Sequence, residues 1–372
     1  MANEKRPERV RYAVLGLGYF AQNAVLPAFK RARRSELVAL VSGDPEKRAI
    51  LKQRYRVPIA IDYGEYDALL SSGKIDAVYV VLPNSEHADA TIRAARAGVH
   101  VLCEKPMATT EDECLRMIRA CEEADVRLMI AYRLHFERTN LEAIELVRSG
   151  KLGEPRIFDS VFAMQVREGN SRTLDELGGG PLNDIGVYCV NAARYVFRSE
   201  PTEVMALSGA RNGDARFSEI DEHVAAMLRF PGDRIATFVA SFGSSEVACF
   251  EIVGTTGALR VDPAYSHASN LRYELMSGGK PKTKRTFRKR DQIAPVIGYF
   301  SDCVLQRKTP EPSGFEGLAD VRILRAIEES ARRGERVLLE PLPKSEYPDL
   351  SQEDHAPAHG KPRLVNSQEP SG

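Results

Sequence analysis

Tryptophan is absent from this sequence, and no two of its six cysteines (Cys103, Cys114, Cys121, Cys189, Cys249, Cys303) stand at CxxC spacing or share a metal-ligand spacing with histidine. That excludes a thiol-redox pair or a zinc ribbon, and thiols set in apolar runs read as buried and free in a reducing compartment. No apolar run reaches the ~18 residues that a membrane span needs. Met1–Arg9 is charged and lacks an apolar signal core, so the expected setting is cytoplasmic. Neither sign of charge prevails, with 52 Lys+Arg against 52 Asp+Glu. A neutral total lacks the basic field that nucleic acid or an anionic membrane would require, which leaves a small molecule as the expected ligand. Lys280–Arg290 holds seven cations in eleven residues. Such a run reads first as a solvated hairpin, and second as a rim that attracts an anionic substrate. His355 and His359 fall in a polar tail, and no metal is expected.

A chain of 372 residues can bury two cores. Up to about residue 130, short apolar runs alternate with amphipathic stretches, the pattern of repeated βαβ units around a parallel sheet. Strands are expected at Val10–Leu15, Leu37–Ser42, Ala77–Leu82, His100–Cys103 and Arg127–Ala131. Helices are expected at Ala21–Lys30, Glu46–Tyr55, His87–Ala97 and Thr110–Ala124. The texture then changes. After a helix at Asn140–Ser149, strands at Arg156–Val166, Glu203–Gly209, His223–Phe230, Arg234–Phe242 and Ala248–Gly254 show partial period-two alternation. That suits a mostly antiparallel sheet with one covered face. Phe315–Arg333 reads as a late helix. The expected fold is α/β: a nucleotide-binding domain at 1–133, a second α/β domain with a large open sheet at 134–341, and a polar tail at 342–372.

Gly16-Leu17-Gly18-Tyr19-Phe20-Ala21 follows a predicted strand and opens a predicted helix. In that context the first glycine permits a tight turn and the second lets backbone approach a pyrophosphate. The second strand ends at Ser42, followed by Gly43-Asp44-Pro45-Glu46-Lys47-Arg48. NAD binders usually place an acid at this strand end to hold the ribose hydroxyls. A hydroxyl beside two cations suits a 2′-phosphate, so NADP is expected ahead of NAD, with Asp44 read as a helix cap.

Two further motifs carry chemistry. Glu104-Lys105-Pro106 follows the strand ending at Cys103, where open α/β sheets present ligands, and Lys105 could stabilise a developing alkoxide. In Gly178-Gly179-Gly180-Pro181-Leu182-Asn183-Asp184-Ile185-Gly186-Val187-Tyr188, the carboxylate and the phenol stand four apart, on one face of any helix. A carboxylate orients substrate hydroxyls and a phenol relays a proton. Read singly, each has a plain alternative: a solvated lysine paired with Glu104, a helix-capping aspartate, a core tyrosine. His135 reads either as lining the cleft or as a satisfied buried histidine.

Together, the fingerprint, Val80-Val81-Leu82-Pro83-Asn84-Ser85-Glu86-His87, Glu104-Lys105-Pro106 and the glycine–Asp–Tyr segment resemble the Gfo/Idh/MocA oxidoreductase family. Within it they are most similar to the glucose–fructose and aldose oxidoreductase branch. The resemblance spans roughly residues 10–340. It implies a Rossmann domain, then an open-sheet domain whose outer face makes a homodimer or tetramer. It implies Lys105 as catalytic lysine, with Asp184 binding a substrate hydroxyl and Tyr188 in the place where many members carry histidine. It also implies cofactor contacts from Ser42 and Lys47 at the 2′-phosphate, and from Tyr63, Leu82, Asn84, His87, Glu104 and Arg133. Relatives often carry a Trp-Arg pair shortly before the glycine run; here the segment reads Asn170-Ser171-Arg172-Thr173. The expected reaction is oxidation of a cyclic aldose at C1 to a lactone, with the cofactor recycled by a second sugar. The alternatives are a dehydrogenase of a secondary ring alcohol, of dihydrodiol or inositol type, or a sensor that binds NADP without turnover.

Overall fold

A computed structural model describes residues 8–211, 213–344 and 346–371. It divides into two compact units. The first takes in the chain up to Arg133 together with Arg290–Leu318 and His355–Glu369. The second takes in Leu134–Lys289, Ala319–Asp354 and the last residues from Pro370. Residues 1–7 of the N-terminal stretch read above lie outside the described residues.

The first unit is built on β1 (Val10–Leu15), β2 (Ser35–Val41), β3 (Ile59–Ile61), β4 (Ala77–Val80), β5 (His100–Cys103) and β6 (Leu128–Ile130). All neighbours pair in parallel, in the order β3-β2-β1-β4-β5-β6. The strands read as near-continuous apolar runs because the sheet is covered by helices. Helix Ile293–Gln306, which the sequence reading left unassigned, packs on β1, β2 and β5. There Tyr12 Oη lies 2.8 Å from Ser301 Oγ, satisfying a buried phenol. The strand order reverses between β1 and β4. Ligands of open α/β sheets bind outside the carboxyl ends at such a point.

Local chemistry sets the helix starts. Asp44 caps Pro45–Tyr55 by accepting from the Lys47 N–H, with proline in the first turn. Thr110 and Glu113 form a reciprocal capping box for Glu111–Glu123. The expected helix Ala21–Lys30 is instead a wide π-helical turn, Ala21–Val25, followed by a short α-turn, Leu26–Ala28. Pro27 lies in that α-turn and has no N–H to donate.

The second unit holds β7 (Pro155–Gln165), β8 (Glu203–Gly209), β9 (His223–Phe230), β10 (Arg234–Ser241), β11 (Gly243–Gly254), β12 (Gly257–Val261), β13 (Leu271–Ser277), β14 (Lys280–Phe287) and β15 (Val337–Leu338). Their order is β14-β13-β12-β11-β7-β10-β9-β8-β15, antiparallel throughout except for the parallel pair β7/β10. One face is buried through Phe158, Val204, Ala206, Leu228, Phe238, Phe250 and Ile252. The basic run is the exposed edge strand β14. Lysines on an edge discourage pairing with another chain, a structural use of the charge. Arg285 there pairs with Glu142 at 2.6 Å.

The tail does not stand apart. Ala356 and Val365 are buried, and Arg290 and Pro357 form an isolated bridge within the first unit. Among the described residues no helix is long and apolar enough to cross a membrane, and no cluster of metal-ligating side chains occurs. None of the six cysteines forms a disulfide, and five of them are buried.

Candidate active site

The turn after β1 packs where the strand order reverses. Gly16 has φ +95°, and a Cβ there would stand 2.4 Å from the Val81 carbonyl oxygen, so only glycine fits. Its N–H donates to the Val41 carbonyl at 3.1 Å, tying the loop to β2. Gly18 is exposed, and a Cβ there would meet nothing within 4 Å. Among the described residues no atom requires glycine at that position, and the open space leaves room for close backbone approach of a pyrophosphate, so a dinucleotide fits this loop. Leu17 is buried, and Tyr19 and Phe20 are half-buried at the start of the π-helical turn.

At the end of β2, the buried Ser42 takes a hydrogen bond from the Asp44 N–H at 3.3 Å. Asp44 uses Oδ1 for the Lys47 N–H at 3.0 Å, and the Lys47 ammonium stands 4.0 Å from Asp44 Oδ2. The cap holds Asp44's carboxyl below its ordinary range, through the Lys47 N–H first and then Asn366. Gly43 faces the Tyr63 ring, 3.4 Å from a Cβ built on it. Desolvation, then the charge of Glu86, raises the Tyr63 phenol.

Beyond β4 and β5, His87 is fully buried with both ring nitrogens engaged. Nδ1 is 3.0 Å from the Pro106 carbonyl and Nε2 is 3.0 Å from the Leu82 carbonyl. It thus ties the loop of Leu82 and Asn84 to the loop of Lys105 and Pro106, whose shared peptide is cis. Burial lowers the His87 pKa, opposed by its contacts with the Leu82 and Pro106 carbonyls. Tyr79 Oη donates to Glu104 Oε1 at 2.6 Å. Loss of water raises the Glu104 carboxyl, opposed by that hydrogen bond and by the charge of Lys105. Arg133 is buried and donates to Gln292 of the same unit.

In the second unit the glycine run serves packing. Gly178 and Gly180 have positive φ, and a Cβ on Gly179 would stand 2.4 Å from the Arg172 carbonyl oxygen. The Gly180 N–H donates to that carbonyl at 2.8 Å. A π-helical turn, Leu182–Gly186, then runs directly into the α-helix Val187–Phe197. Of Pro181–Val190, only Asp184 and Tyr188 escape burial. The carboxylate and the phenol therefore share the segment's accessible side. Asp184 is no cap, since the turn starts at Pro181 without a side-chain capping bond. Arg172 Nε donates to Asp184 Oδ2 at 2.7 Å. Tyr188 rests against the rings of Phe162 and Tyr265, with centroids 5.7 and 5.9 Å away.

His135 resolves as a satisfied buried histidine of this unit, Nε2 being 2.8 Å from Asn191 Oδ1. His355 bonds Arg290, and His359 lies 3.0 Å from the Gly360 carbonyl. Arg172, Gln22 and Asn366 carry site contacts that the sequence reading left without a role.

A chain that combines a six-stranded doubly wound sheet and its phosphate-approach loop with a unit presenting a carboxylate and a phenol has the parts of a dinucleotide-dependent oxidoreductase. Residues 10–132 match the family model described as "Oxidoreductase family, NAD-binding Rossmann fold", and residues 140–260 match the GFO/IDH/MocA C-terminal domain. The chain belongs to the Gfo/Idh/MocA oxidoreductase family. It is 31% identical over 339 residues to a D-xylose 1-dehydrogenase [NADP(+)] of Haloarcula marismortui, covering 89% of this chain and 93% of that one. It is also similar to the crystal structure of aldose-aldose oxidoreductase from Caulobacter crescentus complexed with glycerol. That likeness has 38% identity and a TM-score of 0.85 over 89% of this chain and 100% of the other. A 3-ketoreductase from Actinomadura kijaniata, solved with NADP and TDP-benzene, is 25% identical with a TM-score of 0.80, covering 87% and 98%.

Proposed function

We propose that this enzyme oxidises a cyclic aldose at C1 to an aldonolactone with NADP as hydride acceptor, and that a second sugar then reoxidises the cofactor. The observation that carries this reading is the paired exposure of Asp184 and Tyr188, the two unburied residues of an otherwise buried segment. The D-xylose dehydrogenase and aldose-aldose oxidoreductase relatives support a sugar. Ser42 and Lys47, with Asp44 committed to its cap, support NADP over NAD.

Bound at the Gly16–Gly18 loop, NADP supplies a nicotinamide carbon that accepts hydride. Tyr188 takes the C1 hydroxyl proton as the C1 hydrogen departs with its electron pair. Lys105 stabilises the negative charge that gathers on that oxygen, and Asp184, steadied by Arg172, orients the ring hydroxyls. His87 and Glu104 position the Lys105 loop, and Leu82, Asn84, Tyr63 and Arg133 line the cofactor. Six thiols with no disulfide among them support a cytoplasmic setting.

The test is the absorbance near ~340 nm of the purified protein supplied with NADP, since reduced nicotinamide absorbs there. Glucose or xylose is expected to raise it, and a second aldose or ketose to lower it again. A rise with inositols or ring diols alone moves the enzyme to the secondary-alcohol class. No change with any sugar or polyol leaves a cofactor-binding sensor.

We further propose that a second copy covers the outer face of the large sheet, giving a homodimer or a tetramer. Ile157, Met205, Leu207, Met227 and Val239 are exposed, and the strand register sets all five on that face. Leu207→Lys combined with Met227→Lys is expected to reduce the mass measured by light scattering to that of one chain. An unchanged mass excludes this face as the interface.

A further inference from the structure

The segment His355–Glu369 lies against the dinucleotide loop of its own unit, outside both family-matched regions. Gln22 is 1% exposed and fastens it: Nε2 donates to the Leu17 and Val365 carbonyls, each at 2.9 Å, and Oε1 accepts from the Val365 N–H at 2.8 Å. A buried amide whose groups are all matched costs nothing to keep and much to break, so the attachment is specific. Tyr19 Oη, within the glycine fingerprint, donates to Glu369 Oε1 at 3.1 Å. Between these contacts stands Asn366, at φ +44°, a left-handed conformation that asparagine tolerates better than most residues. Its Nδ2 donates to Asp44 Oδ2 at 3.0 Å and to Glu46 Oε2 at 2.9 Å.

These two carboxylates lie between Ser42 and Lys47 in the chain. An acid at the end of the second strand is the usual acceptor for an unphosphorylated ribose. A loose carboxylate there would also repel a phosphate. Asp44 has neither freedom, because Lys47 N–H holds Oδ1 and Asn366 holds Oδ2. The two hydrogens of one neutral amide go to two carboxylates, which also eases their mutual repulsion.

We propose that the His355–Glu369 segment is a wall of the dinucleotide site, and that Asn366 is a specificity-determining residue which secures Asp44 and Glu46 and so favours a 2′-phosphate over a 2′-hydroxyl. The proposal rests on NADP being the cofactor. It is tested in the full-length protein by measuring the affinities of NADP+ and NAD+ for wild type, Asn366→Gly and Asn366→Asp. Glycine accepts the left-handed backbone and removes the side chain with its amide. The ratio of NADP+ to NAD+ affinity is expected to fall about 3- to 10-fold in Asn366→Gly, the scale of the typical net contribution of one hydrogen bond. It should fall further in Asn366→Asp, which adds a third carboxylate. A ratio unchanged in both variants, or a parallel loss of both affinities at constant ratio, overturns the role of Asn366. A wild type that binds NAD+ as well as NADP+ overturns the cofactor reading instead.

Discussion

Lys105→Met is expected to lower kcat by at least ~10²-fold, the scale of one lost electrostatic or acid–base contact in a transition state. Methionine matches the length and apolar stem of lysine, so the substitution removes a charge with little change of shape. Lys105 is only half-buried and β5 is complete before it, so the melting temperature should hold. The loop keeps its shape through the contact of His87 with the Pro106 carbonyl, which the mutation leaves in place. The proposed role, an ammonium acting on charge that develops during reaction, predicts that kcat and kcat/KM fall together, with the NADP+ dissociation constant little altered. Steady-state kinetics on whichever sugar raises the ~340 nm signal, with cofactor titration by fluorescence, separates these quantities. Turnover near that of wild type removes Lys105 from the chemistry. A rise in KM alone would reassign it to substrate binding.

What the sequence made legible follows from how far apart the cooperating residues lie. The first βα units are local, an apolar run followed by a turn and a helix, although the three-residue, half-buried β3 was too short to be read. Periodicity and Asp44 announced the rest. Asp184 and Tyr188 were readable because a spacing of four keeps two residues on one side even where the first turn is π-helical. The large sheet was only partly readable. Its outer face carries Met205, Leu207 and Met227 among polar residues, which blurs the alternation. Strand β14 is exposed along nearly its whole length and offers no apolar signal at all. The tail was opaque for a different reason. Its anchor joins Val365 to Gln22, 343 residues away, and composition reports only that the segment has no core of its own, not that it borrows one. The pairing of Arg172 with Asp184 was not readable, because a loop, not a helical repeat, brings the two together.

The helix that presents Tyr188 depends on a buried charge cluster, and Arg194→Met should expose that dependence. Arg194 is 0% exposed. Its Nε and Nη2 donate to Glu200 at 2.6 and 2.9 Å, and its Nη1 donates to Asp320, also fully buried, at 2.5 Å. The network continues from Asp320 through Asn191 Nδ2 at 3.0 Å and on to His135. Methionine fills a similar volume but leaves two buried carboxylates facing each other without a cation. Breaking a buried pair in this way typically costs ~3–5 kcal/mol, because the abandoned charge cannot return to water. Against a marginal total of ~5–15 kcal/mol, that is a severe loss. Denaturant unfolding should show a much lower midpoint with an unchanged slope. Combining the change with Glu200→Gln and Asp320→Asn removes the stranded charges and should recover part of the midpoint. Activity per folded molecule should change less than stability, since Arg194 acts through the seating of the helix. A midpoint unmoved by Arg194→Met would mean that the cluster does not hold the helix, and that the aromatic contacts of Tyr188 with Phe162 and Tyr265 suffice.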